Sequence, residues 1–114
     1  METFNTFSKH ERASAQGLWH LIDDCYELGR PVGVAFTKTM CSSSWELGYS
    51  QFRDKGSTWL TFAHEVGHNF AAGHTFEDGQ GTTGGIMDYG NKRVNNEYQF
   101  HEKYRYKDIC NNLQ

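Results

Sequence analysis

The strongest constraint on this chain lies in the eleven residues HEVGHNFAAGH, which run from His64 to His74. Upstream and within it, Trp59, Phe62, Ala63, Val66 and Phe70 recur at helical spacing and predict one apolar helix face. Ser57 is the candidate N-cap, and the helix should run from Thr58 to about Ala71 or Ala72. Positions i and i+4 of a helix share one side, one turn apart. His64 and His68 therefore point the same way, off the apolar face. Glu65 is one step round from His64, poorly placed to ligate and well placed to touch a water between the histidines. His74 can rejoin the pair only if helical geometry breaks before it, and Gly73 is expected to supply that freedom.

Three imidazoles of this kind suit Zn2+, at bond lengths of about 2.0–2.1 Å. A structural zinc site usually fills its fourth position with protein, whereas three ligands leave it to water. The expected chemistry is hydrolytic, with Glu65 as general base toward a polarised water.

The rest of the chain is expected to frame that helix. Residues 3–16 read as a surface helix, and 18–22 as a short strand or a helix end. Gly29-Arg30-Pro31 reads as a turn. VGVAFT, residues 32–37, reads as a buried strand, residues 41–44 as a loop, and WELGYSQF, 45–52, as a half-exposed edge strand. Residues 77–85 are too rich in glycine for regular structure, and 86–90 form a turn with an apolar plug. Residues 97–110 read as a final helix packed by its tyrosines and Ile109. One domain spans 1–114.

Several function classes are disfavoured. The net charge of −3, with mixed signs, suggests neither nucleic acid nor an anionic membrane. The alternation of aromatic and basic residues over 102–107 reads as a solvated helix face. No apolar run approaches 18 residues, so no membrane span is expected, and no signal peptide is legible. His10, His20 and His101 are read as surface or packed side chains. The glycine-rich 79–85 stretch lacks the Gly-Lys-Ser/Thr end of a phosphate loop. Cys25, Cys41 and Cys110 admit one bridge plus one free thiol, or three thiols.

At the level of motif the chain resembles the metzincin zinc endopeptidases, which carry HExxHxxGxxH followed by a methionine turn. Met87, thirteen residues after His74, resembles that methionine. Within the clan the adamalysin family (snake-venom metalloproteases and ADAM proteases) is most similar, through VGVAFTKTMC and TFAHEVGHNF. The resemblance implies an α+β, zincin-like catalytic domain. Its small mixed sheet of three or four strands would pack with an active-site helix and a C-terminal helix. The first strands and a long helix of the usual domain have no counterpart here. It also implies a Cys41–Cys110 bridge, an extracellular setting, and a protein or peptide substrate lying extended along edge strand 45–52.

Three departures stand out. Ala71 and Gly73 replace the family's usual glycine position, Thr75 replaces its aspartate, and IMDYG carries Tyr89, as astacins and serralysins do. By that likeness Tyr89 either approaches the metal or the oxyanion, or walls the substrate pocket. The competing expectation is a zinc-binding interaction module without turnover. Retention of Glu65 argues for the enzyme.

Overall fold

The computed structural model describes residues 17–25, 32–41, 45–54 and 56–113. The expected helix over 3–16, the turn at 29–31 and residues 42–44 of the expected loop lie outside these.

Three strands form the main sheet: β1 (Trp19–Asp23), β2 (Gly33–Ala35) and β3 (Leu47–Gln51). Their order is β1-β3-β2, with β1 parallel and β2 antiparallel to β3. The segment expected at the edge is thus the central strand, and every residue of β3 is buried. Its small and polar residues caused the misreading. Gly48 and Ser50 face protein: a Cβ at Gly48 would run into the His20 ring and approach Asn69, and His20 Nε2 lies 2.8 Å from Ser50 Oγ. The expected buried strand is the edge instead. β2 is only three residues long and partly exposed.

Helix α1 (Thr58–Asn69) packs on β3 and β2. Ser57 holds the N-cap position but its side chain caps nothing. Asp54 organises the entry instead, accepting the Gly56 and Ser57 N–H groups at 2.7 Å each. The expected inward face is also corrected. Trp59 and Phe62 are 43% and 37% exposed, while the buried residues of α1 are His64, Glu65, Gly67 and Asn69. The helix lies between the sheet and the Met87 turn, and both contacts select small or polar residues. Trp59 is left to meet Tyr98 edge-on, and Phe62 to meet His20.

The C-terminus of α1 closes at Ala71, not Gly73. Ala71 takes a left-handed φ of 77°, its N–H bonds His68 O, and the Ala72 N–H bonds Gly67 O. This is a Schellman closure with alanine where glycine is usual. A further cap comes from the chain after β2. The Lys38 N–H bonds His68 O, and those of Thr39 and Met40 bond Asn69 O. The Asn69 amide donates to Leu47 O, Phe36 O and Thr39 Oγ1, which ties the helix end to both strands.

Beyond the glycine-rich loop, β4 (Arg93–Val94) and β5 (Glu97–Tyr98) form a hairpin. Asn95 and Asn96, at φ 50° and 65°, supply the two left-handed residues of its loop. The final helix α2 (Glu102–Asn112) therefore starts five residues later than expected. None of its residues is fully buried, and Tyr106 is exposed. The Cys41–Cys110 bridge is also corrected, since Cys25, Cys41 and Cys110 are free thiols. Cys41 sits exposed at a left-handed turn after β2, while Cys110 is half-buried on α2, and the two sulfurs are not bonded. No helix among the described residues is long and apolar enough to cross a membrane.

Candidate metal centre

One turn of α1 brings His64 and His68 side by side, with ring centroids 4.8 Å apart. The Schellman closure then reverses the chain and returns His74, whose ring lies 5.2 Å from His64 and 4.8 Å from His68. One ligand atom from each of the three falls within 4.8 Å of the others, an arrangement able to hold a metal ion.

The tautomers are set by the backbone. His64 Nδ1 is 2.8 Å from Ile86 O, and His68 Nδ1 is 2.8 Å from Ala72 O. A carbonyl only accepts, so both Nδ1 atoms carry the proton and both Nε2 lone pairs are left for a ligand. Burial lowers the His64 pKa to about 4; the Ile86 carbonyl opposes this, and Lys92 and the other two histidines add to it. His68 and His74 are lowered too, chiefly by burial. Neutral imidazole is the form that binds metal.

His74 is held from outside the helix. Arg105 on α2 donates to His74 O at 2.9 Å and pairs with Glu77 and Asp108. The Thr75 N–H bonds Met87 O at 3.1 Å. The Tyr89 hydroxyl stands 3.1 Å from His74 Nε2, and its ring packs on Phe76. Tyr89 lies beside a candidate ligand and lines the cleft.

Met87 is fully buried under α1. A Cβ on Gly67 would sit 2.5 Å from Met87 Sδ and 2.8 Å from Phe100, so the methionine reaches the helix backbone only because residue 67 is glycine. Next to it, buried Asp88 accepts N–H groups from Gly81, Gly84 and Tyr89 at 2.6–2.7 Å. Burial would raise its pKa, but these bonds and Lys92 leave it lowered. Asp88 is the anchor of the glycine-rich loop, a role not read from the sequence.

Glu65 is 6% exposed, and burial raises its pKa to about 7 against the pull of Lys92. Its side chain fits because Gly33 of β2 has none. A Cβ there would run into Glu65 Oε1 and come within 2.7–2.8 Å of Cγ and Cδ. A glycine inside a strand marks such close approaches, so that signal was available in the sequence. Lys92, whose Nζ bonds Asp88 O at 2.7 Å and Ile86 O at 3.3 Å, carried no such signal.

These groups share a cleft of about 390 Å³. One wall is residues 32–35, and the others are Thr61, Glu65, the three histidines, Tyr89 and Lys92.

No curated protein matches the chain. The Reprolysin_5 model of metallo-peptidase family M12 matches residues 1–102, a span that includes α1, the histidine cluster and the cleft wall. With a match over most of its length and three imidazoles gathered where a metallopeptidase needs them, the chain belongs to metallo-peptidase family M12.

Proposed function

We propose that the chain is a zinc-dependent endopeptidase, with His64, His68 and His74 as ligands and Glu65 as general base. The observation that carries this reading is the pairing of backbone-locked imidazoles with a buried carboxyl group for which β2 leaves room. The donor set fits zinc: three neutral nitrogens, two with Nδ1–H bonded to carbonyls. A zinc ion there would supply Lewis acidity toward a water and a peptide carbonyl. Glu65 would take the proton as the water oxygen attacks the carbonyl carbon. It would pass that proton to the amine nitrogen as the C–N bond breaks. Met87 would form the apolar floor of a metzincin-type centre. Tyr89, beside His74, would hydrogen-bond the developing oxyanion.

The substrate would lie extended along β2, not along 45–52, whose two sides are both paired within the sheet. Among the described residues β2 is at the sheet edge, and it lines the cleft together with Glu65. Family membership is the support for an extracellular setting, since the bridge that first argued for it is absent. A zinc-binding module without turnover is less well supported, because binding alone needs neither Glu65 nor the space at Gly33.

The test is to purify the protein, measure zinc by mass spectrometry, and compare cleavage of a mixed peptide library by wild type and Glu65→Gln. Near-stoichiometric zinc with Glu65-dependent cleavage is expected. Bound zinc without such cleavage would leave only the binding module, and failure to bind zinc would sink both readings.

A further inference from the structure

Lys92 has no part in the chemistry described above, yet it lines the same cleft as Glu65 and the histidines. It is the only lysine or arginine to do so among the described residues. It follows the Met87 turn in a left-handed conformation, φ 63°, and its side chain runs back, half-buried, over that turn. Two N–H groups of the ammonium are used, on Asp88 O and Ile86 O. Both are neutral carbonyls. The Asp88 carboxylate is turned to the glycine loop, where it accepts three backbone N–H groups. Lys92 forms no ion pair among the described residues. In the same cleft its Nζ lies 6.0 Å from the centroid of the Tyr89 ring.

The Glu65 and Asp88 carboxyl groups act on this half-buried ammonium from a distance, but neither touches it, and its third donor is open to an acceptor in the cleft. Coulomb attraction is stronger there than at an open surface, because less water screens it. A residue placed only to brace the turn would not need to face the cleft.

Resting on the peptidase reading, we propose that Lys92 is the specificity residue of the cleft, recognising a carboxylate on the substrate residue next to the scissile bond. Two sources offer that group: an internal Asp or Glu side chain, and the free C-terminal carboxylate of a peptide. In either case one ammonium N–H donates to the carboxylate, while Tyr89 walls the same end of the cleft. The neutral isostere of the substrate offers that N–H no charged acceptor.

The experiment reads ratios, so a general loss of activity cancels. Peptides of one scaffold carry Asp, Asn, Glu or Gln at each position near the cleavage site, and each is made with a C-terminal acid or amide. Zinc-loaded wild type, Lys92→Met, Lys92→Arg and Lys92→Glu are compared. Wild type is expected to favour the acid over its isostere about tenfold in kcat/KM, the size of one charged hydrogen bond, mostly through KM. The ratio should fall to about one in Lys92→Met, persist in Lys92→Arg, and invert toward a lysine-bearing peptide in Lys92→Glu. Preference at an internal position identifies a side-chain carboxylate, and preference for acid over amide termini identifies a chain end.

Binding is read separately, by fluorescence anisotropy of labelled acid and isostere peptides on the zinc-loaded protein. Absence of all cleavage with a retained acid preference in binding would sink the peptidase reading and leave the Lys92 assignment standing. A ratio near one in wild type, by cleavage and by binding, would overturn the assignment. So would a ratio unchanged in Lys92→Met, which would reduce Lys92 to a brace for the Ile86–Asp88 carbonyls.

Discussion

Gly33→Ala is the sharpest perturbation available, because it adds one methyl group and touches no candidate ligand. An ideal Cβ at residue 33 would lie 2.7 Å from Glu65 Cγ and 2.8 Å from Cδ, with Oε1 closer still. Carbon atoms in contact settle at about 3.5–4.0 Å. The Glu65 side chain must therefore retreat by roughly 1 Å, or β2 must move away from α1 by as much. A misplacement of about 1 Å in a catalytic group costs on the order of a hundredfold in rate. The three histidines sit on other walls, so where the Glu65 side chain yields and β2 stays in place, zinc affinity should stay within a factor of a few. The overpacking itself should cost about 1–3 kcal/mol of stability. The assay is kcat/KM on one peptide, with zinc content and thermal midpoint measured on the same preparation. A folded, zinc-loaded Gly33→Ala enzyme with activity within threefold of wild type would refute the reasoning. It would show that the position of Glu65 against β2 does not matter to the reaction.

Four further outcomes are expected. Ala71→Gly should stabilise the chain by about 0.5–1 kcal/mol, since left-handed alanine costs about 1–2 kcal/mol and glycine gives back part of that in the unfolded state; a thermal midpoint that fails to rise counts against the closure at Ala71. Arg105→Met should loosen His74 and lower zinc affinity about 10- to 100-fold, as outer partners of ligands do, read by competition with a chelating dye. His20 should destabilise the protein in acid. Burial lowers its pKa to about 4, below the unfolded value of 6.5, so its contribution is full above 6.5 and is lost as pH falls toward 4. Urea midpoints at pH 5 and pH 7 in wild type and His20→Gln check this, with a smaller pH dependence expected in the variant. Finally, a thiol reagent should titrate three cysteines per denatured chain, and Cys25 and Cys41 rapidly in the native one. A titre of one would restore the bridge.

The chemistry of the site was more legible than its frame. His64, Glu65 and His68 follow from helix phase alone, because covalent geometry fixes i, i+1 and i+4 whatever the helix packs on. His74 needed a chain reversal, and the sequence offered two residues for it. Glycine propensity pointed to Gly73, but the hydrogen bonds of the closure require the left-handed residue two positions past the helix end, which is Ala71. The sheet was misordered for a different reason. Residues 45–52 read as half-exposed, but the small and polar Gly48 and Ser50 face His20 and Asn69 rather than water. Tertiary contact overrode local pattern there. Asn95-Asn96 was a hairpin signal just ahead of the stretch read as the final helix, whose first two residues form β5 instead. Lys92 and Arg105 had no local signature, since each acts on residues brought near only by folding.

The cap on α1 from residues 38–40 has a mechanical consequence. The backbone of Lys38 grips the carbonyl of His68, and the chain from Lys38 back to Ala35 leads into the strand that walls the cleft. Load placed on β2 is therefore transmitted through a few peptide units to the residue that would hold the metal. Grip on a peptide and the geometry of the ligand field are two ends of one short lever. A stiffer or longer connection at 36–40 should alter both together, even though no residue of that segment needs to touch the ion.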